Sequence, residues 1–284
     1  MQTTNGDLPT ILADEIGLAY LRQGMLIART AFEPLRPARA QEVASPLLRA
    51  STAWFLGGRE IRQEALGATG FACGDPDFEL ACALSHMRNF FFEEPDARLL
   101  LALPALDEAS TERFLKALDG EAETGDIEPD RVVFELSADT DRTHLADMSA
   151  ALRMRGFALG IGDFGGMGSS AALIETVDPN FVRLDAQWVR LAGGIDPSRR
   201  LLSSLVSLLH DGGRTTVLAG IASVEDREAA LAIGVDLIAG PLIAPPYPAG
   251  TDGPHRPAAQ EHGPAQPSRD NVIPLSVARS HHGR

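Results

Sequence analysis

The chain has 284 residues, 44% of them hydrophobic and 23% charged, a globular composition that excludes a fibrous or wholly disordered chain and suffices to bury a core. Its 25 basic and 39 acidic residues leave a formal net charge of −14, so the average surface repels a polyanion, and no basic stripe reverses that for DNA or RNA. No apolar run approaches the ~18 residues that span a bilayer, the first residues lack a secretory pattern, and Cys73 and Cys82 alone give neither a disulfide framework nor a cysteine metal site.

In chain order, residues 1–28 read as an N-terminal helical segment, with an amphipathic stretch over Ile11–Met25. Strands are predicted near residues 30, 47, 100, 133, 159, 183, 217 and 238. Between the later ones lie helical patterns: Glu108–Leu118; Asp141–Arg155, with Leu145, Met148 and Leu152 on one face and Gly156 at its left-handed end; and Ser169–Thr176. A further helix starts at Asp196 and Pro197 and carries Leu201, Leu205, Leu208 and Leu209. Ser223 with Asp226 three residues on is a capping-box signature, and Gly234 terminates the helix it opens. Strand-then-helix units at this spacing demand a mostly parallel sheet covered by helices. Eight strands in under 250 residues match a closed (β/α)8 barrel. Glu135, Asp163 and Asp185 fall at the carboxyl ends of three different strands, which a barrel brings to one face.

From Pro245 onward the composition changes to proline, glycine and four of the seven histidines. Residues 248–284 read as a disordered tail that cannot offset its chain entropy by burial. Val272–Val277 is an apolar island within it, and His281 with His282 makes a poor metal site.

Gly160, Gly162 and Gly165 form a G-x-G-x-x-G pattern after a strand and before a helix, with Asp185 twenty residues on. This is the fingerprint of a dinucleotide-dependent oxidoreductase. Such a half-fold normally begins with this turn, whereas here several strand–helix units precede it.

The same segment, Gly156 through Ser170, resembles the signature turn of EAL domains, the bacterial cyclic-di-GMP phosphodiesterases, which read D-D-F-G-T-G-Y-S-S there. Phe181–Asp185 resembles the family's K-I-D strand, Thr216–Arg227 its V-I-A-E-G-V-E-T segment, Gly234–Leu242 its G-C-D-x-x-Q-G-Y-L segment, and Val132–Ser137 its E-I-T-E strand. Phe32–Leu35 and Ser45–Arg49 resemble Y-Q-P-I and E-A-L-L-R. The resemblance runs over residues 29–247 and implies a TIM-like barrel with an atypical first strand and a two-metal phosphodiester site on its top face. Two-metal hydrolysis needs several oxygen donors to hold the ions, activate water and neutralise charge.

Most of those donors are replaced. Ser45 stands at the naming glutamate, Ala102 at the asparagine, Gly162 at the first aspartate of the pair, Gly220 and Ser223 at the later glutamates, and Ala239 at the glutamine. Arg183 stands at the lysine, and an arginine, with a pKa of about 12.5 or more, is no base. The residual metal ligands are Glu135 and Asp163, and the other family-like positions are Leu47, Arg49, Arg183 and Asp185. Structural roles compete for them: Glu135 can pair with Arg183 across the mouth, Asp163 can cap the following helix, and Ser223 is better explained as a cap. His86, His144 and His210 lie on predicted helices, away from the strand ends.

The expectation is a cytoplasmic, catalytically degenerate EAL-domain protein, a non-enzymatic regulatory or protein-binding module. No cofactor or metal is expected, with Mg or Mn relevant only to residual activity. The alternatives are a cyclic-di-GMP receptor held by Arg49 and Arg183, a weak cyclic-di-GMP phosphodiesterase, and the dinucleotide-dependent oxidoreductase.

Overall fold

The computed structural model describes residues 8–39, 46–69, 75–124, 127–137, 140–165, 171–185, 187–188 and 196–251. Its strands are β1 (Leu12–Ala13), β2 (Ala19–Gln23), β3 (Leu26–Pro37), β4 (Leu47–Leu56), β5 (Arg59–Ile61), β6 (Arg98–Ala102), β7 (Val132–Leu136), β8 (Ala158–Phe164), β9 (Phe181–Leu184), β10 (Thr215–Leu218), β11 (Leu237–Ile238) and β12 (Tyr247–Pro248). Among the described residues the α-helices are α1 (Pro76–Glu93), α2 (Glu108–Glu123), α3 (Arg142–Met154), α4 (Ala171–Val177), α5 (Asp196–Asp211) and α6 (Val224–Ile233).

Strands β4, β6, β7, β8, β9, β10 and β11 pair in parallel in that order. Strand β3 closes the ring antiparallel to both β4 and β11. The result is an eight-stranded α/β barrel with one reversed strand, as the sequence implies. It is not the open, doubly wound sheet that a dinucleotide fold requires, which overturns the oxidoreductase reading at the level of fold.

Side chains alternate across each strand, so every strand feeds two cores. Leu35, Leu47, Leu100, Val133, Phe181 and Val217 fill the lumen. Their neighbours, among them Leu48, Leu99, Leu101, Phe134 and Val182, point outward into the layer beneath the helices. The starts of α1, α2, α3 and α6 are set by carboxylates and one hydroxyl. Asp75, Asp107 and Asp141 accept backbone N–H groups at the starts of α1, α2 and α3, and Ser223 with Asp226 forms the expected capping box on α6. On α5 the buried stripe is Leu202, Val206 and Leu209, whereas Leu201 and Leu208 are exposed.

Two expectations are corrected. The segment read as helical over residues 1–28 is, among its described residues, β-structure: β2 pairs antiparallel with β3 through a two-residue loop at Gly24 and Met25. Gly24 sits at φ +64, the hairpin conformation that glycine supplies cheaply. The tail boundary expected at residue 248 does not hold, because residues 248–250 pack on the barrel. Pro248 pairs with Ala31 on β3, the Ala249 N–H donates to the Thr30 carbonyl at 3.0 Å, and the Gly250 N–H donates to the Glu93 carboxylate at 2.7 Å. Tyr247 holds this clasp by donating its hydroxyl to Glu94 at 3.2 Å. Residues 252–284, including the apolar island and His281–His282, lie outside the described residues.

A buried polar network fixes β2–β4 to α1. Asn89 bonds both the N–H and the carbonyl of Ala19, at 2.6 and 2.9 Å, and donates to the Thr30 hydroxyl at 2.8 Å. His86 bridges the hydroxyls of Thr30 and Thr52 at 2.8 and 3.1 Å. Burial drives its imidazole down to a pKa of about 3, so it is neutral here. Burial likewise pushes the neighbouring Cys82 thiol up to about 12, which leaves it un-ionised.

Candidate functional site at the barrel mouth

Three strands deliver the charged residues at the mouth. Glu135 is the penultimate residue of β7, Asp163 the penultimate residue of β8, and Arg183 the third residue of β9. The β8–β9 register slips between Ile161 and Phe164, and that bulge re-aims Gly162 and Asp163. Asp163 takes a left-handed backbone at φ +48, a conformation that aspartate tolerates better than most residues.

Arg183 gathers both carboxylates. Its Nε and Nη2 donate to the two oxygens of Glu135 at 2.9 and 2.7 Å. Its Nη1 and Nη2 donate to the two oxygens of Asp163 at 2.7 and 3.2 Å. The Glu135 and Arg183 side chains are 4% and 10% exposed, whereas Asp163 is 67% exposed. Burial opposes the charge on Arg183, but hydrogen bonds and attraction from Glu135, then Asp163, outweigh it and raise its pKa above the ordinary arginine value. The pairing expected across the mouth is therefore present, and the Asp163 carboxylate is committed to it.

Gly162 explains itself in this setting. A Cβ added there would lie 2.3 Å from the Glu135 Oε1 and 2.9 Å from the Arg183 Nη2, closer than any real side chain allows. At Gly165 an added Cβ would meet the Trp188 indole at 2.1 Å. Two glycines of the G-x-G-x-x-G pattern thus have packing reasons for being glycine, unrelated to a pyrophosphate.

The other sequence-chosen residues separate. Leu47 is a lumen core residue. Asp185 accepts the Gln187 N–H at 2.7 Å and shapes the turn after β9. Arg49 faces Glu33 across the β3–β4 pair, with Nη1 3.5 Å from the carboxylate, and its Nε is buried without a hydrogen-bond partner among the described residues. Arg49 also lines a cavity of about 280 Å³ with Ser51, Thr52, Gln63, His86 and Ala102. Sequence reasoning missed Glu33, whose position opposite Arg49 follows from the antiparallel register of β3 and β4. Ser45 lies outside the described residues. His144 meets Thr111 at 2.7 Å, and His210 meets Asp236 at 2.8 Å; neither is at the mouth. Among the described residues no group of three or more His, Cys, Asp or Glu could hold a metal ion, and no helix is long and apolar enough to cross a membrane.

The family model of the EAL domain matches residues 77–246. Among solved structures, a Klebsiella pneumoniae BlrP1 complex with calcium and cyclic-di-GMP is 20% identical, with a TM-score of 0.66 over 85% of this chain and 60% of that one. The chain thus spans about 60% of the length of that protein. The Xanthomonas citri FimX EAL domain in complex with cyclic-di-GMP is 16% identical, with a TM-score of 0.64 over 81% of this chain and 90% of that one. The Pseudomonas aeruginosa FimX EAL domain, also bound to cyclic-di-GMP, is 16% identical, with a TM-score of 0.62 over 77% of this chain and 90% of that one. No curated protein sequence matches the chain.

Proposed function

Because the chain belongs to the EAL-domain family, we propose that it is a non-hydrolytic member that acts through contact with a protein partner rather than by cutting a phosphodiester. The observation that carries this reading is the double ion pair of Arg183 with Glu135 and Asp163. These are the two residual family-position metal ligands, and one guanidinium takes up both. A divalent ion would have to displace a cation that cannot lose its proton and is held by hydrogen bonds to both carboxylates. Ala102, Gly162, Gly220 and Ala239, which stand at other donor positions of the family pattern, carry no side-chain oxygen. The donor set therefore does not fit a pair of divalent ions.

The test uses the full chain with cyclic-di-GMP and Mg²⁺ or Mn²⁺, followed by chromatography. The expected result is intact dinucleotide, with Glu135→Ala indistinguishable from the parent. Linear product that disappears in Glu135→Ala overturns the proposal.

A second reading, binding of cyclic-di-GMP without hydrolysis, draws support from Arg49, which lines the 280 Å³ cavity and whose buried Nε has no hydrogen-bond partner among the described residues. The cyclic-di-GMP complexes of BlrP1 and FimX make that ligand the one to try. Calorimetric heat that is lost in Arg49→Ala supports it, and no heat at high micromolar ligand removes it.

A further inference from the structure

A groove of about 770 Å³ lies between α2 and α3, on the outside of the barrel. Its floor is apolar: Leu106 and Met148 are buried, and Leu115 and Ala151 complete it. Its rims are acidic, because Glu108, Glu112 and Asp147 border it and are exposed. No ion pair to any of these three occurs among the described residues. The two walls are held together by the Thr111–His144 hydrogen bond at 2.7 Å. Such a groove suits a segment that is apolar at its centre and cationic at its flanks.

The sequence contains one. Val272, Ile273, Leu275 and Val277 form the apolar island, flanked by Arg269, Arg279 and Arg284 against the single acid Asp270 over residues 268–284. That stretch carries 3 − 1 = +2 in a chain whose total is −14. Reach is adequate. The described chain leaves off at Thr251, beside the end of α1 where the Gly250 N–H meets Glu93. Helix α1 packs on α2, and α2 on α3. The 20 residues between Thr251 and Val272 span roughly 25 Å as a coil and at most about 70 Å extended. The 16-residue helix α2 is itself about 24 Å long. Tethering at that distance supplies an effective concentration near the millimolar range, enough for a weak contact to be occupied.

We propose that residues 272–284 of this chain occupy the α2–α3 groove, with the apolar island on Met148 and Leu115 and the arginines toward Glu112 and Asp147. The proposal is independent of the reading given for the barrel mouth. Hydrogen exchange on the full chain tests it, comparing the parent with V272S/I273S/L275S and with E112K/D147K on the exposed rims. The expected result is exchange faster by about threefold or more over residues 108–118 and 142–151 in both variants, with the same loss of protection in the parent at high salt. Unchanged exchange in V272S/I273S/L275S overturns the proposal, whatever E112K/D147K does. So does protection that grows with protein concentration, which would assign the groove to the tail of a second copy or to another basic segment.

Discussion

The barrel mouth and the α1 face bury polar groups by opposite means. At the mouth, charge meets charge, with Arg183 held between Glu135 and Asp163. Under α1, neutrality meets neutrality, with a histidine stripped of its proton between two threonine hydroxyls. A buried charge deprived of its partner is costly, whereas a neutral hydrogen bond lost in the same setting costs less. The two regions should therefore differ in how they respond to mutation and to pH.

The largest effect is expected from Glu135→Ala, which strands a buried guanidinium with only an exposed carboxylate for company. Denaturant unfolding should show a loss of about 3–5 kcal/mol. Gly162→Ala attacks the same ion pair by volume rather than charge, and a loss of about 1–3 kcal/mol is expected as Glu135 is pushed aside. Equal stability in Gly162→Ala and the parent would mean that the mouth is looser than its distances indicate.

The α1 network should answer to acid. Between pH 6.5, the ordinary histidine value, and about 3, the unfolded chain takes up a proton at His86 that the folded one does not. Stability from this group is thus complete above pH 6.5 and declines as pH falls toward 3. His86→Gln should lose about 1–2 kcal/mol at pH 7 and show a shallower stability decline from pH 7 to 4.5. Arg183, with its pKa raised, contributes stability that is complete below the unfolded arginine value and lost only at far more alkaline pH. The guanidinium's own titration therefore leaves the physiological range untouched. The smallest effect belongs to Asp163→Asn. Its carboxylate is 67% exposed, solvent screens the pair, and a loss of about 0.2–1 kcal/mol is expected from unfolding curves.

Much of the fold was legible because strand order and strand ends follow from local pattern. The eight barrel strands are where apolar runs and intervening helices place them. Glu135 and Arg183, at the ends of neighbouring-but-one strands, are brought together by barrel closure. What was not legible depended on the alternation of faces and on register. The hairpin of β2 and β3 was hidden because Ile11, Leu12, Ile16 and Leu18 also fit a helical period, although Gly24 marked the turn. On α5 a surplus of leucines obscured which stripe faces inward. The role of Asp163 turned on a bulge in β8 that no spacing rule announces, and Glu33 could be matched to Arg49 only once the reversed direction of β3 was known.

The clasp of β12 on β3 has a topological consequence. Near the beginning of the described chain, Leu18 sits so close to Gly250 that a Cβ on the glycine would lie 2.7 Å from the leucine Cδ1. The segment leading into β2 and the segment leaving β12 therefore adjoin, and a short peptide could join them without bending the barrel. New ends opened at the exposed Gly212–Gly213 turn should yield a circular permutant that keeps every strand pairing intact.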